Sequence, residues 1–207
     1  MKSALLIFVK NPELGKVKTR LAATIGDEKA LKVFKKLLVN IHDKSLNVKA
    51  DKLLFYSTFV DQNDIWENEV FSKFVQNQSP DLGQRMLSAF EEARDLGYAK
   101  AIIVGSDIYD VSTEILQEGF ELLEDAETVL GPSHDGGYYA IGFNFEKIQS
   151  PKFLHDVFLN KIWSHEHVTQ EAIEVINSYW FTCNFLPVLS DIDTEKDLKK
   201  IPDLYNI

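Results

Sequence analysis

Apolar positions come in short unbroken runs separated by longer amphipathic stretches. The first run, Ala4-Leu5-Leu6-Ile7-Phe8-Val9, reads as a buried strand. From Asp27 to Asn47 the apolar residues Ala30, Leu31, Phe34, Leu37, Leu38 and Ile41 recur at helical spacing and predict one long helix. Lys52 to Thr58 reads as a second buried strand and Lys73 to Gln78 as a short third one. Asp81 to Leu96 predicts a helix that stops at Gly97, a natural C-cap. Ala101-Ile102-Ile103-Val104 is a strong central strand, ended by Gly105-Ser106-Asp107, and Thr113 to Leu123 is another helix. Thr128 to Gly131 and Tyr138 to Phe143 are strands around a glycine-bearing turn. Val168 to Asn177 is helical, Phe181 to Leu189 a strand, and Thr194 to Ile201 the last helix.

Strands alternating with helices imply a three-layer α/β domain, with a mostly parallel sheet and helices on both faces. The turn before Tyr138 is too tight for a parallel crossover, so one strand is expected to run antiparallel. The 207 residues fit a single domain over positions 1–207, with no repeats, low-complexity tracts or linkers. Residues 144–166 are the least regular and are expected to form an excursion over the site.

Charge changes this picture locally. The chain carries −10, yet its first twenty residues hold five Lys or Arg and one acid. Lys10, Lys16, Lys18 and Arg20 gather where the first strand should give way to a helix. Backbone N–H groups at a helix start attract anions, and nearby cations add to that, so this loop reads as a phosphate site. A helix beginning near Lys16 would put Lys16 and Arg20 on one face, with Lys18 turned toward the loop. The competing reading is a solvated, charged first turn. The acidic total argues against nucleic acid and anionic membrane as partners.

Cys183 is the single cysteine, so no intrachain disulfide forms, and it reads as a small core residue. Met1-Lys2-Ser3 is too short to lead a signal peptide, and no apolar run reaches membrane-spanning length, so a cytoplasmic location is expected.

Three further segments fall beyond strand ends, where open α/β sheets bind ligands. In Gly105-Ser106-Asp107-Ile108-Tyr109-Asp110, Asp107 suits a divalent cation that also touches substrate phosphates, and Asp110 suits a cap for the following helix. Gly131-Pro132-Ser133-His134-Asp135-Gly136-Gly137-Tyr138-Tyr139 is either a plain hairpin with Asp-Gly turn chemistry or a turn that lets backbone approach a ligand. Its consecutive Ser133, His134 and Asp135 are not a triad, whose members converge from separate segments. In Asp191-Ile192-Asp193-Thr194, Asp193 or Thr194 is expected to cap the last helix with help from Asp197, a second metal carboxylate being the alternative. His165-Glu166-His167 lacks zinc spacing and reads as a polar loop, and Trp66, Trp163 and Trp180 as packing residues.

In this order the segments resemble the radical-SAM/selenodomain-associated transferase one family. That family lies in the nucleotide-diphospho-sugar transferase superfamily, with its glycosyltransferase-A-like fold. The matching pieces run from Lys10-Asn11-Pro12 through Lys18-Thr19-Arg20-Leu21, Asp81-Leu82-Gly83-Gln84-Arg85-Met86 and Gly105-Ser106-Asp107 to Gly131-Pro132, Asp135-Gly136-Gly137-Tyr138-Tyr139-Ala140-Ile141-Gly142 and Asp191-Ile192-Asp193-Thr194. The resemblance implies a nucleotide over the first half of the sheet. Lys10, Lys16, Lys18 and Arg20 would face its phosphates and Asp107 would hold Mg²⁺ or Mn²⁺. Asp81 and Arg85 would lie near the nucleotide or the acceptor, and Asp135, Gly136 and Gly137 would shape the acceptor pocket. The chain departs from the family pattern at Tyr109, where proline is usual, and at Pro80, where glycine is usual.

Three functions follow from this. The first is a metal-dependent nucleotidyltransferase joining a nucleotidyl group to a small phosphorylated acceptor, favoured by the dense basic loop. In that reading Lys18 and Arg20 neutralise phosphate charge. The second is a glycosyltransferase with a nucleotide-sugar donor, for which Asp135 is the candidate base. The third is a non-catalytic nucleotide-binding protein, motivated by Tyr109 and Pro80.

Overall fold

In the computed structural model, residues 2–150 and 152–207 are described; Met1, and Pro151 within the expected 144–166 excursion, lie outside them. A seven-stranded sheet is built from β1 (Ser3–Val9), β2 (Asp51–Tyr56), β3 (Phe71–Val75), β4 (Lys100–Gly105), β5 (Thr128–Pro132), β6 (Tyr138–Asn144) and β7 (Cys183–Phe185). The helices are α1 (Thr19–Ile25), α2 (Asp27–Leu46), α3 (Leu82–Asp95), α4 (Thr113–Asp125), α5 (Phe153–Phe158), α6 (Val168–Ser178), α7 (Glu195–Leu198) and α8 (Pro202–Tyr205).

The strand order is β3-β2-β1-β4-β6-β5-β7. β6 runs antiparallel to both β4 and β5, and the other pairings are parallel. β1 is central, and Ala4 to Ile7 are fully buried on both faces, which is why its sequence is a continuous apolar run. Leu5, Ile7 and Val9 pack with Phe34, Ile41, Leu116 and Phe120 of α2 and α4. Ala4 and Leu6 point the other way, into a core with Phe90, Phe153, Phe158 and Ile176 of α3, α5 and α6. A third cluster joins Leu21, Leu37, Ile192 and Leu198 under α1 and the C-terminal turns.

From β1 the chain moves one way to β2 and β3, and the later strands add on the other side of β1. The order therefore reverses between β1 and β4, the position at which such sheets leave a crevice beyond the strand ends. Lys10 follows β1 at that crevice and Asp107 follows β4.

Several boundaries depart from the sequence reading. The third strand lies at Phe71–Val75 rather than 73–78. Phe71 is anchored against Trp66 and His42, and beyond Val75 the side-chain amides of Gln76 and Gln78 take over bonding to the neighbouring backbone. The 181–189 strand shrinks to Cys183–Phe185, because Pro187 has no N–H to give a ladder. The last helix divides into α7 and α8, since Ile201 precedes Pro202 and is held in extended backbone at φ −121°. Trp180 is not a packing residue. It sits at φ 59° just past α6 and is 94% exposed. Trp66 is buried, and Trp163 packs edge-on to Tyr138 with ring centroids 6.4 Å apart.

Candidate functional site

The basic loop is held by Asn11, which is buried. Its Oδ1 accepts from the backbone N–H of Thr58 (3.1 Å), and its Nδ2 donates to the Phe59 carbonyl (2.9 Å). The loop is thereby tied to the segment after β2. Within it, Lys16 turns back to pair with Glu13 at 2.7 Å. The helix begins at Thr19, not near Lys16, so Lys16 and Arg20 do not share a helix face.

Lys18 is the N-cap of α1, in left-handed backbone (φ 48°, ψ 43°), and makes no side-chain cap. That conformation turns its side chain inward, to 3% exposure. Lys18 Nζ lies 3.0 Å from Asp107 Oδ1 and 3.1 Å from Asp193 Oδ1. Arg20, largely exposed, reaches Asp193 Oδ2 at 3.7 Å.

Asp193 is available because it does not cap the last helix. Thr194 does, in a capping box with Asp197: the Thr194 hydroxyl accepts from Asp197 N–H, and the Asp197 carboxylate accepts from Thr194 N–H at 3.1 Å. Likewise Asp110 does not cap α4, whose first turn is bonded by the Ser112 hydroxyl. The 191–193 segment is drawn to the site by a bridge between Ile108 and Asp191 and by Ile192 N–H donating to the Asp107 carbonyl at 3.1 Å. Ile192 is buried between the two aspartates, so Asp191 and Asp193 project to the same side. That alternation was visible in the sequence and would have found both. Asp191 feels the consequence. Burial, then the charges of Asp135, Asp107 and Asp193, push its carboxyl up to about 7 against the pull of Lys18.

The turn between β5 and β6 brings in Asp135. Its Oδ1 accepts from Ser133 Oγ (2.5 Å) and from Gly137 N–H (3.0 Å), so serine and aspartate bond directly rather than through the His134 ring. Gly136 has φ 90°, and a Cβ there would lie 2.0 Å from the Glu166 carbonyl oxygen. The turn therefore seats directly on Glu166, at the end of the 144–166 stretch expected to form an excursion; that stretch also holds α5. Thr169 fixes the seat, donating N–H to Gly136 O (3.0 Å) and Oγ1–H to Gly137 O (2.5 Å).

Two adjoining cavities occupy the crevice. The larger, about 670 Å³, is bordered by Lys10, Lys16, Lys18 and Arg20 on one side and by Asp135, Gly137, Trp163 and His165 on the other. The smaller, about 310 Å³, is bordered by Phe8, Lys10, Gln76, Arg85, Met86, Ile103 and Ile141. Asp107, Asp191, Asp193, Lys10 and Tyr138 border both. Of the residues expected at the site, Asp81 and Gly136 border neither. Asp81 caps α3 by accepting from Gln84 N–H at 2.8 Å, and Gly136 is spent on the contact with Glu166. Gln76, Asp191 and Trp163 are site residues that the sequence reading did not single out.

Neither Tyr109 nor Pro80, the two departures from the family pattern, borders either cavity. The Tyr109 ring packs on the cluster under α1, and its carbonyl accepts from Asn40 Nδ2 at 2.8 Å. Pro80 immediately precedes the Asp81 cap.

The arrangement gathers cations and carboxylates around two cavities at one sheet edge, and known proteins share the fold that carries it. The chain is 32% identical to a protein of Desulfovibrio desulfuricans G20 whose assignment to the nucleotide-diphospho-sugar transferases is provisional; the match covers 94% of this chain and 84% of that one, with a TM-score of 0.82. An inositol-1-phosphate CTP transferase from T. maritima aligns over 100% of this chain and 95% of its own at 14% identity, TM-score 0.56. Rv0371c from Mycobacterium tuberculosis H37Rv, in a complex with manganese, aligns over 98% and 99% at 11% identity, TM-score 0.54. The last two share the fold alone. No functionally curated protein matches the chain. Residues 42–165 match the family described as "Uncharacterized protein conserved in bacteria (DUF2064)". The chain belongs to this DUF2064 family and has the fold of the nucleotide-diphospho-sugar transferases.

Proposed function

We propose that this protein is a metal-assisted nucleotidyltransferase, of the radical-SAM/selenodomain-associated type, that uses a nucleoside triphosphate and a small phosphorylated acceptor. The observation that carries the reading is Lys18, a buried ammonium that borders the larger cavity and lies between Asp107 and Asp193, which border both cavities. With Lys10, Lys16 and Arg20 around the larger cavity, a triphosphate meets four cations there.

The donor set suits a divalent ion that arrives with phosphates. Among the described residues no group of three or more His, Cys, Asp or Glu forms a closed metal site. Asp107 and Asp193 nevertheless already aim at one positive centre, and the crowding that lifts Asp191 marks an excess of negative charge. Mg²⁺ commonly uses one or two carboxylates and takes its remaining ligands from phosphates and water. Asp107 with Asp193 would hold it, and it would supply charge neutralisation on the phosphates.

In the transfer, an oxygen of the acceptor phosphate bonds to the α-phosphorus. The bond from that phosphorus to the bridging oxygen breaks, and pyrophosphate leaves with that oxygen and its electron pair. Lys18 and Arg20 stabilise the charge building on the leaving group, by position and electrostatics rather than covalent chemistry. Asp135 and Gly137 line the acceptor side.

Glycosyl transfer from a nucleotide sugar is the second reading. It is favoured by Asp135, the candidate base for a sugar hydroxyl, whose carboxylate borders the larger cavity beside Gly137.

A thermal-shift panel of nucleoside triphosphates and nucleotide sugars, with and without Mn²⁺, tests the proposal. A ligand at about 100 times its dissociation constant stabilises by roughly 2.7 kcal/mol. No shift with any nucleotide would sink both readings. Pyrophosphate release favours the first and nucleoside diphosphate release the second.

A further inference from the structure

β7 is the last strand of the sheet and pairs with β5 alone. Thr128 N–H donates to the Thr182 carbonyl and Leu186 N–H to the Leu130 carbonyl, so the backbone of Asn184 between them faces β5. By strand alternation the N–H and C=O groups of Cys183 and Phe185 face outward, where no strand lies among the described residues.

An open edge is ordinarily guarded by charge. This one is not. From Val175 to Ser190 there is no charged residue, in a chain that is 26% charged. The opposite edge, β3, carries Lys73 and follows Glu67 and Glu69. Around β7 the exposed side chains are apolar instead: Trp180 is 94% exposed, and Phe185 and Val188 are each 50% exposed. Such an edge is a template for pairing with another strand.

The segment is complementary to itself. Trp180 and Val188 lie at equal distances along the chain from Asn184. An antiparallel copy centred on Asn184 therefore sets Cys183 opposite Phe185 of the partner subunit and Trp180 beside Val188 of the partner subunit. Cys183 and the partner's Phe185 then form a hydrogen-bonded pair, each N–H donating to the other's carbonyl, and these are the backbone groups that face outward. Pro187 comes next on that side of the strand and has no N–H, so the ladder ends there. No charge is buried and none meets another.

We infer that this protein forms a two-fold dimer through β7, the two sheets joined edge to edge at Asn184 with Trp180 as the anchor. The inference is independent of the nucleotide reading. Beyond β7 the chain is bridged at Leu189 to Ser133 and runs on to Asp191 and Asp193, so the joined strand leads directly into the site's carboxylates.

Sedimentation of the full chain, from sub-micromolar to near-millimolar concentration, measures the mass. The expected result is twice the mass of one chain. Trp180→Lys removes the anchor and guards the edge, and because Trp180 is in solvent in the single chain the fold is expected to be unchanged by circular dichroism. Its dimer dissociation constant is expected to rise by about 30-fold or more. Cysteines in a Cys183→Ser background read the register. Asn184→Cys meets its own copy at a close, non-hydrogen-bonded pair and is expected to cross-link on oxidation, whereas Thr182→Cys is displaced along the strand from its copy and is expected not to. Should Asn184→Cys fold poorly, having lost its bond to the Leu122 carbonyl (3.3 Å), the mass and Trp180→Lys still decide. A monomer at every concentration, larger open-ended species, a dimer indifferent to Trp180→Lys, or equal cross-linking at both positions overturns the inference. A monomer that binds triphosphates leaves the functional reading standing, and a β7 dimer that binds none defeats that reading alone.

Discussion

The ammonium of Lys18 lies 3.0 Å from the carboxylate of Asp107, joining the end of β1 to the end of β4 across the point where the strand order reverses. The lysine is 3% exposed and the aspartate 42%, so the pair is half in water. Its geometry matters more for charge placement than for stability, since partly solvated ion pairs contribute little.

Replacing Lys18 by methionine keeps the length of the side chain and removes the charge. Asp107, Asp193 and Asp191 then repel, with the exposed Arg20 beside Asp193 as the remaining cation. Lys18→Met is expected to lower the melting temperature by about 2–8 °C, equivalent to ~1–2 kcal/mol in a chain of this size. It is also expected to weaken triphosphate binding by at least about tenfold. Melting curves and titration calorimetry on the same sample separate the two effects. A lower melting temperature with unchanged nucleotide affinity per folded molecule would make Lys18 a structural residue only.

Asp107→Ala probes the opposite partner. Asp107 is 42% exposed, and its backbone carbonyl, which accepts from Ile192 N–H, is unaffected by the substitution. The fold is therefore expected to survive, with the metal-dependent part of nucleotide binding lost and the metal-independent part retained. Calorimetry with Mn²⁺ and with EDTA measures the difference. If the Mn²⁺ dependence persists in Asp107→Ala, the cation is held elsewhere.

The sheet was legible because its central strands are buried on both faces and so are written as uninterrupted apolar runs, Ala4–Val9 and Ala101–Val104 being the clearest. The antiparallel strand was legible from a turn too short for a crossover. Lys18 was not. Its aim depends on one left-handed residue and on Asp193, which is 175 positions away in the chain. Neither a backbone torsion nor a contact at that separation leaves a periodic trace. Gln76 was hidden for a similar reason. Its place beside the cavity depends on which way an amide faces, fixed by the carbonyls of Val9 and Phe55 on two other strands. Trp180 was misread because a large aromatic near a helix end ordinarily packs, whereas a positive φ here swings it into solvent.

The glycine pair in the Asp135 turn allows an internally controlled test. Gly136 holds φ 90°, and an added Cβ would sit 2.0 Å from the Glu166 carbonyl oxygen, a backbone atom that no side-chain rotation can clear. Gly136→Ala is expected to cost about 2 kcal/mol or more, some 4–8 °C in melting temperature, and to open the 159–167 segment to proteolysis. At Gly137 the nearest atoms to a Cβ are the Asp135 and Ser133 side chains at 3.3 Å, and φ is not positive. Gly137→Ala is expected to change the melting temperature by much less. Equal losses at the two positions would contradict this account of how the turn is seated.

Away from the site, His42 is expected to make stability depend on pH. It is 8% exposed on α2, with its ring against Trp66 and Phe71 at centroid distances of 5.3 and 5.4 Å. Nε2 lies 2.9 Å from the Glu67 carboxylate and Nδ1 2.8 Å from that of Asp43. Burial opposes the charged ring, but the hydrogen bonds it donates to Glu67 and Asp43 together outweigh that and raise the imidazole above its usual value. A group whose pKa is higher in the folded than in the unfolded chain binds its proton more tightly when folded. The stability it contributes is full below the unfolded value, about 6.5, and is lost as pH rises through the folded value. His42→Gln keeps a polar side chain but removes the titration. The difference in urea unfolding free energy between the native chain and His42→Gln is therefore expected to shrink steadily from pH 5.5 to about 8.5. A difference that stays level across that range would show that His42 does not titrate with folding, and a difference that grows would mean that burial outweighs the two carboxylates.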